Sequence, residues 1–370
     1  MNGQTNAFTL RAQKGEGIQV RALSWLNDFR GRHPVRTTAL ATAGTVLTAV
    51  AILLLTPVLD RPLATTGEPT RSYEQAMARA TTLTLADGPG INPVCRSRVI
   101  SHGQRTERSV VLLHGYTNCP QQFDTIAQAY ANAGYSVVVP RLPGHGASDR
   151  LTKALSDVHP DDLVHTGDLA VDIAAGLGAE VTVVGLSGGG TLAAWLATER
   201  NDVNRAVLIA PLVIPKVLPE STVAPLARFS RLATDFYLWW DSEKRERLAN
   251  PPYAYPRYSV RSLGAFLSIG RATQTTAPRR DTSLDRLVVI TNENDGAVSN
   301  VGVYALERHL ERLLRLNQPS VDRFDYVFPE SAGYKHDLVD PNGENAEDID
   351  AIYRSLRLLL DLPRLEAPAG

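Results

Sequence analysis

Two kinds of segment alternate along this chain. Short and almost continuous apolar runs, rich in β-branched residues, predict buried strands. They occupy Val110–Leu113, Tyr135–Val139, Val181–Val184, Ala206–Ile209, Leu287–Ile290 and Phe324–Phe328. Longer segments with apolar residues at helical spacing lie between them. The clearest are Asp124–Ala133, Asp161–Leu177, Thr191–Thr198, Tyr304–Leu316 and Ile349–Leu360.

This alternation of strand and helix predicts an α/β fold with a mainly parallel central sheet and helices on both faces. The carboxyl ends of parallel strands meet at one edge of such a sheet, and functional loops gather there. Chemically distinctive residues that directly follow the predicted strands are therefore the first candidates for a site.

Ser187 is the first such residue. It lies between Gly185 and Gly189, directly after the apolar run that ends at Val184 and before a predicted helix. A chain that turns this sharply from strand to helix leaves no room for side chains at the two flanking positions. The pattern indicates a serine nucleophile, and the alternative is a structural serine in a turn.

A serine hydroxyl needs a base to take its proton, and the base needs an acid to orient it. Asp295 follows the strand that ends at Ile290, and His336 follows the strand that ends at Phe328. We therefore expect Asp295 and His336 to complete a catalytic triad with Ser187. Glu293, two residues from Asp295, is its main rival.

The order serine, acid, histidine is similar to that of the α/β-hydrolase superfamily, over roughly Arg98 to Leu360. His114, Gly115 and Tyr116 resemble the oxyanion loop of that family. The resemblance implies that the backbone N–H groups of Tyr116 and Gly188 stabilise an oxyanion. The stretch from Arg141 to Ser148 resembles the Gly-His-Gly-x-Ser loop of the monoacylglycerol-lipase and bacterial carboxylesterase branch.

The segment of about 211–280 separates two predicted strands and is longer than a crossover helix requires. It is rich in aromatic residues, so we predict a helical cap over the active site. Trp239 and Trp240 are the predicted substrate-binding residues within it. The alternative is a cap that packs only its own small core.

Composition narrows the function classes. The chain has 370 residues, 44% hydrophobic content and a net charge of −1, which suits one large core and gives no sign of a nucleic-acid partner. The sequence shows no cluster of metal ligands and no phosphate-binding glycine loop. We therefore expect neither a metal nor a cofactor.

The segment Thr37–Leu59 contains no charged residue and is long enough to span a bilayer. The flank before it is richer in arginine, so residues 1–36 are predicted to be cytoplasmic and the catalytic domain extracytoplasmic. The alternatives are a cleaved signal peptide and a soluble helix. We further predict a linker over 60–90, a hydrolase domain over 91–362 and a C-terminal tail over 363–370.

The chain has two cysteines, Cys95 before the first predicted strand and Cys119 in the predicted oxyanion loop. An oxidising compartment would allow them to form a disulfide bond. Two buried free thiols are the alternative, and the sequence does not decide between them.

The resemblance implies a serine hydrolase of the lipase or carboxylesterase type. With the predicted span, it would be a membrane-anchored enzyme that cleaves a small ester or a lipid. A peptidase of the prolyl-aminopeptidase kind or a thioesterase would use the same triad and remains an alternative. A catalytically inactive binding module is the remote one.

Overall fold

The computed structural model describes residues 62–367, apart from gaps at 233, 244, 246–250, 276–282 and 318–319, and three residues farther upstream. The chain divides into two units, Met1–Asp60 and Arg61–Gly370. Of the first unit only Gly44, Thr45 and Thr48 are described, so the predicted segments 1–36 and 37–59 lie almost wholly outside the described residues. In the described part of the chain, no helix is long and apolar enough to cross a membrane.

The second unit is built on a seven-stranded sheet. Its strands are β1 Arg98–Ile100, β2 Thr106–Leu113, β3 Ser136–Val139, β4 Gly178–Leu186, β5 Arg205–Ile209, β8 Arg286–Asn292 and β9 Asp322–Phe328. Across the sheet they lie in the order β1-β3-β2-β4-β5-β8-β9. Only the edge strand β1 pairs in antiparallel fashion; the other neighbours are parallel. The predicted sheet is confirmed, and it aligns the carboxyl ends of β2, β4, β5, β8 and β9.

The central strands β2 and β4 are apolar and buried in their later residues, where both faces of the sheet are covered. In β2, Val111 and Leu113 contribute to one core, whereas Val110 and Leu112 contribute to the other. Successive side chains of a strand point to opposite faces, so one apolar run serves two cores.

Eight α-helices are described. They are α1 Tyr73–Leu85, α2 Asp124–Asn132, α3 Pro160–Leu177, α4 Gly188–Glu199, α5 Val223–Leu232, α6 Val260–Thr275, α7 Asn300–Asn317 and α8 Ile349–Leu359. Residues of α2 and α8 pack in one core, and residues of α3, α4 and α7 pack in the other. The predicted helices on both faces are thus present.

The predicted cap contains more than helices. Between β5 and β8 the chain forms α5, the antiparallel strands β6 Tyr237–Trp239 and β7 Arg257–Ser259, and then α6. Ala227 of α5 and Phe266 of α6 belong to the same core as α4, so the cap continues the hydrophobic core of the domain.

The structure differs from the predicted linker over 60–90. Helix α1 begins after Ser72, whose side chain accepts a hydrogen bond from the Gln75 N–H at 3.2 Å. Its buried residues Ala76, Ala80 and Leu83 recur at helical spacing and pack in the core with α3. Alanines make up most of this apolar face, so the hydrophobic pattern in the sequence was too weak to reveal the helix.

The chain before α1 is held by two buried aspartates of α3. Asp168 accepts hydrogen bonds from Thr65 Oγ1 at 2.7 Å and from the Thr66 N–H at 2.8 Å. Asp172 accepts one from the Glu68 N–H at 2.9 Å. Buried carboxylates need partners, and here the supposed linker supplies them.

Described residues of the predicted C-terminal tail pack with the domain. Leu362 and Leu365 are buried in the core that contains α2 and α8, and Ala367 packs against it. The domain therefore extends past Leu362, because these residues add apolar surface to the same core.

Candidate active site

Ser187 occupies the turn between β4 and α4. Its backbone has φ 56° and ψ −117°, which is unusual for a residue with a side chain and marks a strained position. A Cβ atom on Gly185 would lie 2.1 Å from the Gly189 carbonyl oxygen, and one on Gly189 would lie 2.0 Å from that of Leu113. Both flanking glycines are therefore required by close backbone contacts.

Asp295 and His336 lie in the loops that follow β8 and β9, and they are in direct contact. Asp295 Oδ2 is 2.7 Å from His336 Nδ1, and Asp295 Oδ1 accepts the Ala297 and Val298 N–H groups at 2.8 Å each. The rival Glu293 instead accepts the Glu330 N–H at 2.9 Å. The structure thus pairs Asp295, not Glu293, with the histidine.

The electrostatics of this pair favour an ion pair over two neutral groups. Burial lowers the pKa of His336, but the negative charges of Asp295, Asp337 and Glu344 together outweigh burial and raise it above its ordinary value. Burial raises the pKa of Asp295, but His336 and the two N–H donors outweigh this and lower it. Asp295 is therefore a carboxylate, and it favours the imidazolium form of His336.

The tautomer of His336 follows from the same contact. When the ring is neutral, the Nδ1–H group donates to Asp295, so Nε2 keeps its lone pair. A neutral ring in this tautomer can accept a proton at Nε2.

The predicted oxyanion loop lies beside Ser187. A Cβ atom on Gly115 would be 3.6 Å from Ser187 Cβ, which places the loop after β2 against the serine. Gly188 is the first residue of α4, and the first N–H groups of a helix have no partner within it. The buried His114 donates from Nδ1 to the Gly115 carbonyl at 3.0 Å and accepts the Leu142 N–H at Nε2 at 3.1 Å. His114 therefore orders the backbone of this loop.

A family model described as "Alpha/beta hydrolase family" matches residues 110–349 of this chain. The chain belongs to the alpha/beta hydrolase family. The resemblance inferred from the serine, acid and histidine motifs is confirmed.

Among characterised relatives, the hydrolase is similar to the thermostable monoacylglycerol lipase of Bacillus sp. (strain H-257). The two are 28% identical over 238 residues, which cover 60% of this chain and 85% of the relative. The resemblance to the monoacylglycerol-lipase branch is thereby confirmed as well.

Solved structures show the same fold at lower identity. The monoacylglycerol lipase of Paleococcus ferrophilus has a TM-score of 0.52 and 18% identity, covering 71% of this chain and 97% of its own. A soluble variant of the monoglyceride lipase of Saccharomyces cerevisiae has a TM-score of 0.51 and 16% identity, covering 72% and 90%.

The cap of the hydrolase is bonded directly to the predicted oxyanion loop. Tyr116 Oη donates to the Ser259 carbonyl at 2.6 Å, and the Tyr255 N–H donates to the Thr117 carbonyl at 2.8 Å. Trp240 Nε1 donates to Thr117 Oγ1 at 2.8 Å. The position of this loop therefore depends on the cap.

Aromatic rings form the contact between cap and loop. The Tyr116 ring centroid lies 5.2 Å from that of Phe266 and 6.2 Å from that of Trp240, and Trp240 packs on Tyr258 at 4.3 Å. A Cβ on Gly188 would be 2.9 Å from the Phe266 ring, so this ring rests on the turn that holds the serine.

The two predicted substrate-binding tryptophans occupy different places. Trp240 contacts the oxyanion loop and is 47% exposed. Trp239 lies in β6 opposite Arg257, and successive residues of an extended strand point to opposite sides. The described contacts bring Trp240 to the candidate site.

The sequence left open whether the two cysteines form a disulfide bond or remain free thiols, and the structure shows which. Cys95 and Cys119 form a disulfide bond, with Cα atoms 5.2 Å apart. Both are fully buried and form a small cluster with Tyr253 of the cap. The bond ties the end of the oxyanion loop to the segment before β1.

Two buried polar residues near this loop were not singled out in the sequence, Gln122 and Asp337. Their side chains are bonded to each other across 215 residues of sequence, so no short-range pattern could reveal the pair. The one available signal was the position of Asp337 directly after His336. Within the described residues, no group of His, Cys, Asp and Glu is arranged to hold a metal ion.

Proposed function

We propose that this hydrolase cleaves carboxylic esters with Ser187 as nucleophile, His336 as general base and acid, and Asp295 as the orienting carboxylate. The observation that carries the proposal is the bonded Asp295–His336 pair at the same sheet edge as a strained serine between obligatory glycines. This is the arrangement that acyl transfer through a serine requires.

In the first half-reaction, Ser187 Oγ attacks the ester carbonyl carbon and its proton passes to His336 Nε2. The backbone N–H groups of Gly188 and Tyr116 donate to the oxyanion of the tetrahedral intermediate. The C–O bond to the alcohol then breaks, and the imidazolium gives its proton to the leaving oxygen. The product is an acyl ester of Ser187 and a free alcohol.

In the second half-reaction, water attacks the acyl carbon while His336 takes one of its protons. The bond to Ser187 Oγ breaks, and the imidazolium returns the proton to that oxygen. A carboxylic acid leaves and the enzyme is regenerated. Asp295 stays ionised and stabilises the imidazolium formed in each half-reaction.

We propose a monoacylglycerol or a related ester of a fatty acid as the substrate. The similarity to monoacylglycerol lipases supports this choice. A second support is the apolar surface beside the turn that carries Ser187. It is formed by the rings of Tyr116, Trp240, Tyr258 and Phe266.

We further propose that residues 37–59 anchor the enzyme in a membrane, with residues 1–36 cytoplasmic and the catalytic domain extracytoplasmic. The uncharged sequence and its arginine-rich leading flank support the anchor. The disulfide bond of Cys95 and Cys119 is consistent with an oxidising compartment. Protease protection in sealed vesicles, probed with antibodies to each end of the chain, tests the orientation.

The activity is tested with the full chain in detergent on p-nitrophenyl esters from acetate to palmitate and on a monoacylglycerol. We expect hydrolysis of both substrate types, and a fall to the background rate in Ser187→Ala. Trp240→Ala is expected to impair long-chain esters more than acetate, with Trp239→Ala as the matched control. Ester hydrolysis that persists in a folded Ser187→Ala variant would refute the proposal.

A further inference from the structure

Gln122 connects two loops of the candidate active site through one buried side chain. It lies in the short helical turn Pro120–Phe123 and is 3% exposed. Its Oε1 accepts the Gly115 N–H at 2.7 Å, and its Nε2 donates to Asp337 Oδ2 at 2.7 Å. Gly115 precedes the proposed oxyanion donor Tyr116, and Asp337 follows His336.

The chemistry of the two ends requires a group that accepts and donates, as an amide does. The backbone N–H of Gly115 can only donate and an ionised carboxylate of Asp337 can only accept, so the linking group must accept at one end and donate at the other. This also fixes the orientation of the Gln122 amide. A methionine of similar length would leave both buried partners unpaired, which destabilises the arrangement.

The Asp337 end of the bridge is itself held by further hydrogen bonds. Asp337 Oδ1 accepts the N–H groups of Val339 and Asp340 at 3.1 and 3.2 Å. Asn345 Nδ2 donates to the carbonyls of Asp337 at 2.6 Å and of Lys335 at 3.1 Å, on either side of His336. The loop that carries the histidine thus has a defined backbone where the bridge meets it.

The turn that carries Gln122 is equally fixed. Cys119, in its disulfide bond with Cys95, immediately precedes the turn, and Phe123 at its end is fully buried. Gln122 therefore has little freedom to follow either loop if the loop moves, and its two hydrogen bonds hold Gly115 and Asp337 at a set separation.

We propose that Gln122 is a positioning residue that sets the distance between the oxyanion donor of Tyr116 and the base His336. The inference rests on the proposed function, because it assumes that these two groups act on one intermediate. Gln122 acts through Gly115 and Asp337 and does not touch the reacting atoms. Loss of the bridge should lower kcat and leave KM nearly unchanged, since donor and base are needed together only in the transition state.

Gln122→Glu gives this proposal a distinctive test. When the introduced carboxyl group is protonated, it can accept from Gly115 and donate to Asp337, as the amide does. When it ionises, two buried carboxylates face each other and the bridge breaks. The other titratable groups around Asp337 are His336, Asp340 and Glu344 of its own loop, Tyr253 of the cap and Tyr353 of α8.

The measurement is kcat per active site, titrated with a fluorophosphonate, from pH 5 to pH 9 for variant and wild type. We expect the ratio of variant to wild-type kcat to stay within about threefold of unity at pH 5. It should fall by about ten- to hundredfold at high pH, the range for a misplaced catalytic group. Gln128→Glu, an exposed change of the same kind in α2, is the matched control and should show a flat ratio.

A flat ratio for Gln122→Glu would overturn the proposal. If Gln122→Glu does not fold, Gln122→Met tests the proposal instead. It should lower kcat about tenfold at every pH with KM unchanged, and wild-type kcat in Gln122→Met would overturn the proposal as well. A wild-type enzyme that neither hydrolyses esters nor reacts at Ser187 would instead refute the proposed function, independently of Gln122.

Discussion

At the scale of single residues, the candidate site depends on His336, on which two opposed influences act. Burial favours the neutral ring, whereas the carboxylate of Asp295, together with the charges of Asp337 and Glu344, favours the protonated ring and prevails. A base whose conjugate acid is stabilised in this way can hold a proton during the reaction while it stays bonded to Asp295. It must, however, be neutral when Ser187 attacks, so activity should rise as pH passes upward through its pKa.

Asp295→Asn tests this balance. The change removes the charge that raises the pKa of His336, so the rising limb of the profile of kcat/KM against pH should move to lower pH. At the optimum, kcat should fall by about 10⁴-fold, the loss found when a serine protease triad is changed in the same way. The profile with p-nitrophenyl butyrate checks both expectations. A limb that stays in place or moves to higher pH would show that Asp295 does not govern the histidine.

The residues of the proposed triad stand out in the sequence because each follows an apolar strand at the same sheet edge. Ser187 also has a local signature in its two glycines. The sequence predicts Asp295 but leaves Glu293 as a rival, since both lie in one short loop and only the direction of the side chains separates them. The pairing of Gln122 with Asp337 could not be predicted because it is a contact between distant parts of the chain.

At the scale of elements, the contact between the cap and the loop after β2 is the most informative. The cap donates to Thr117 twice, from the Tyr255 N–H and from Trp240 Nε1, and it accepts from Tyr116 Oη. Thr117 has a φ of 67°, which is unusual for a threonine and depends on the surrounding contacts. The cap therefore helps to hold the backbone that is proposed to donate to the oxyanion.

Trp240→Phe distinguishes the hydrogen bond to Thr117 from the apolar contact of the ring. The change keeps an aromatic ring and removes the N–H donor. Loss of one hydrogen bond, worth about 1 kcal/mol, should lower kcat for short esters by about fivefold. Trp239→Phe is the control, and we expect its kcat to be unchanged. Steady-state kinetics on p-nitrophenyl acetate distinguish the two. Equal kcat values for both variants would mean that the indole N–H does not support the loop.

At the scale of the whole molecule, the catalytic unit begins earlier in the chain than the sequence pattern indicated. Strands, most helices and the cap could be predicted because their apolar patterns are strong. Helix α1 could not, since alanines form most of its buried face. The extended chain before α1 binds through backbone N–H groups and threonine hydroxyls, which leave no hydrophobic pattern.

The attachment of this segment is testable through Asp172. Its side chain accepts from Arg200 Nη2 at 2.6 Å, from Arg79 Nη1 at 2.7 Å and from the Glu68 N–H. Asp172→Ala leaves the buried Arg200 with less compensation, so the free energy of unfolding should fall by about 3 kcal/mol. Urea denaturation measures this loss, and kcat below the unfolding transition should be unchanged. Asp161→Ala, an exposed change in the same helix, should cost about 1 kcal/mol or less. Equal losses for both variants would show that the buried charges do not hold the segment.

Ser187 is proposed to carry the acyl group in the covalent intermediate. The most direct measurement is the reaction of the full chain with a fluorophosphonate, followed by peptide mapping and assay of the residual ester hydrolysis. We expect one adduct per chain, located on Ser187, and a loss of activity in proportion to labelling. An adduct on another residue, or ester hydrolysis that survives complete modification of Ser187, would contradict the account.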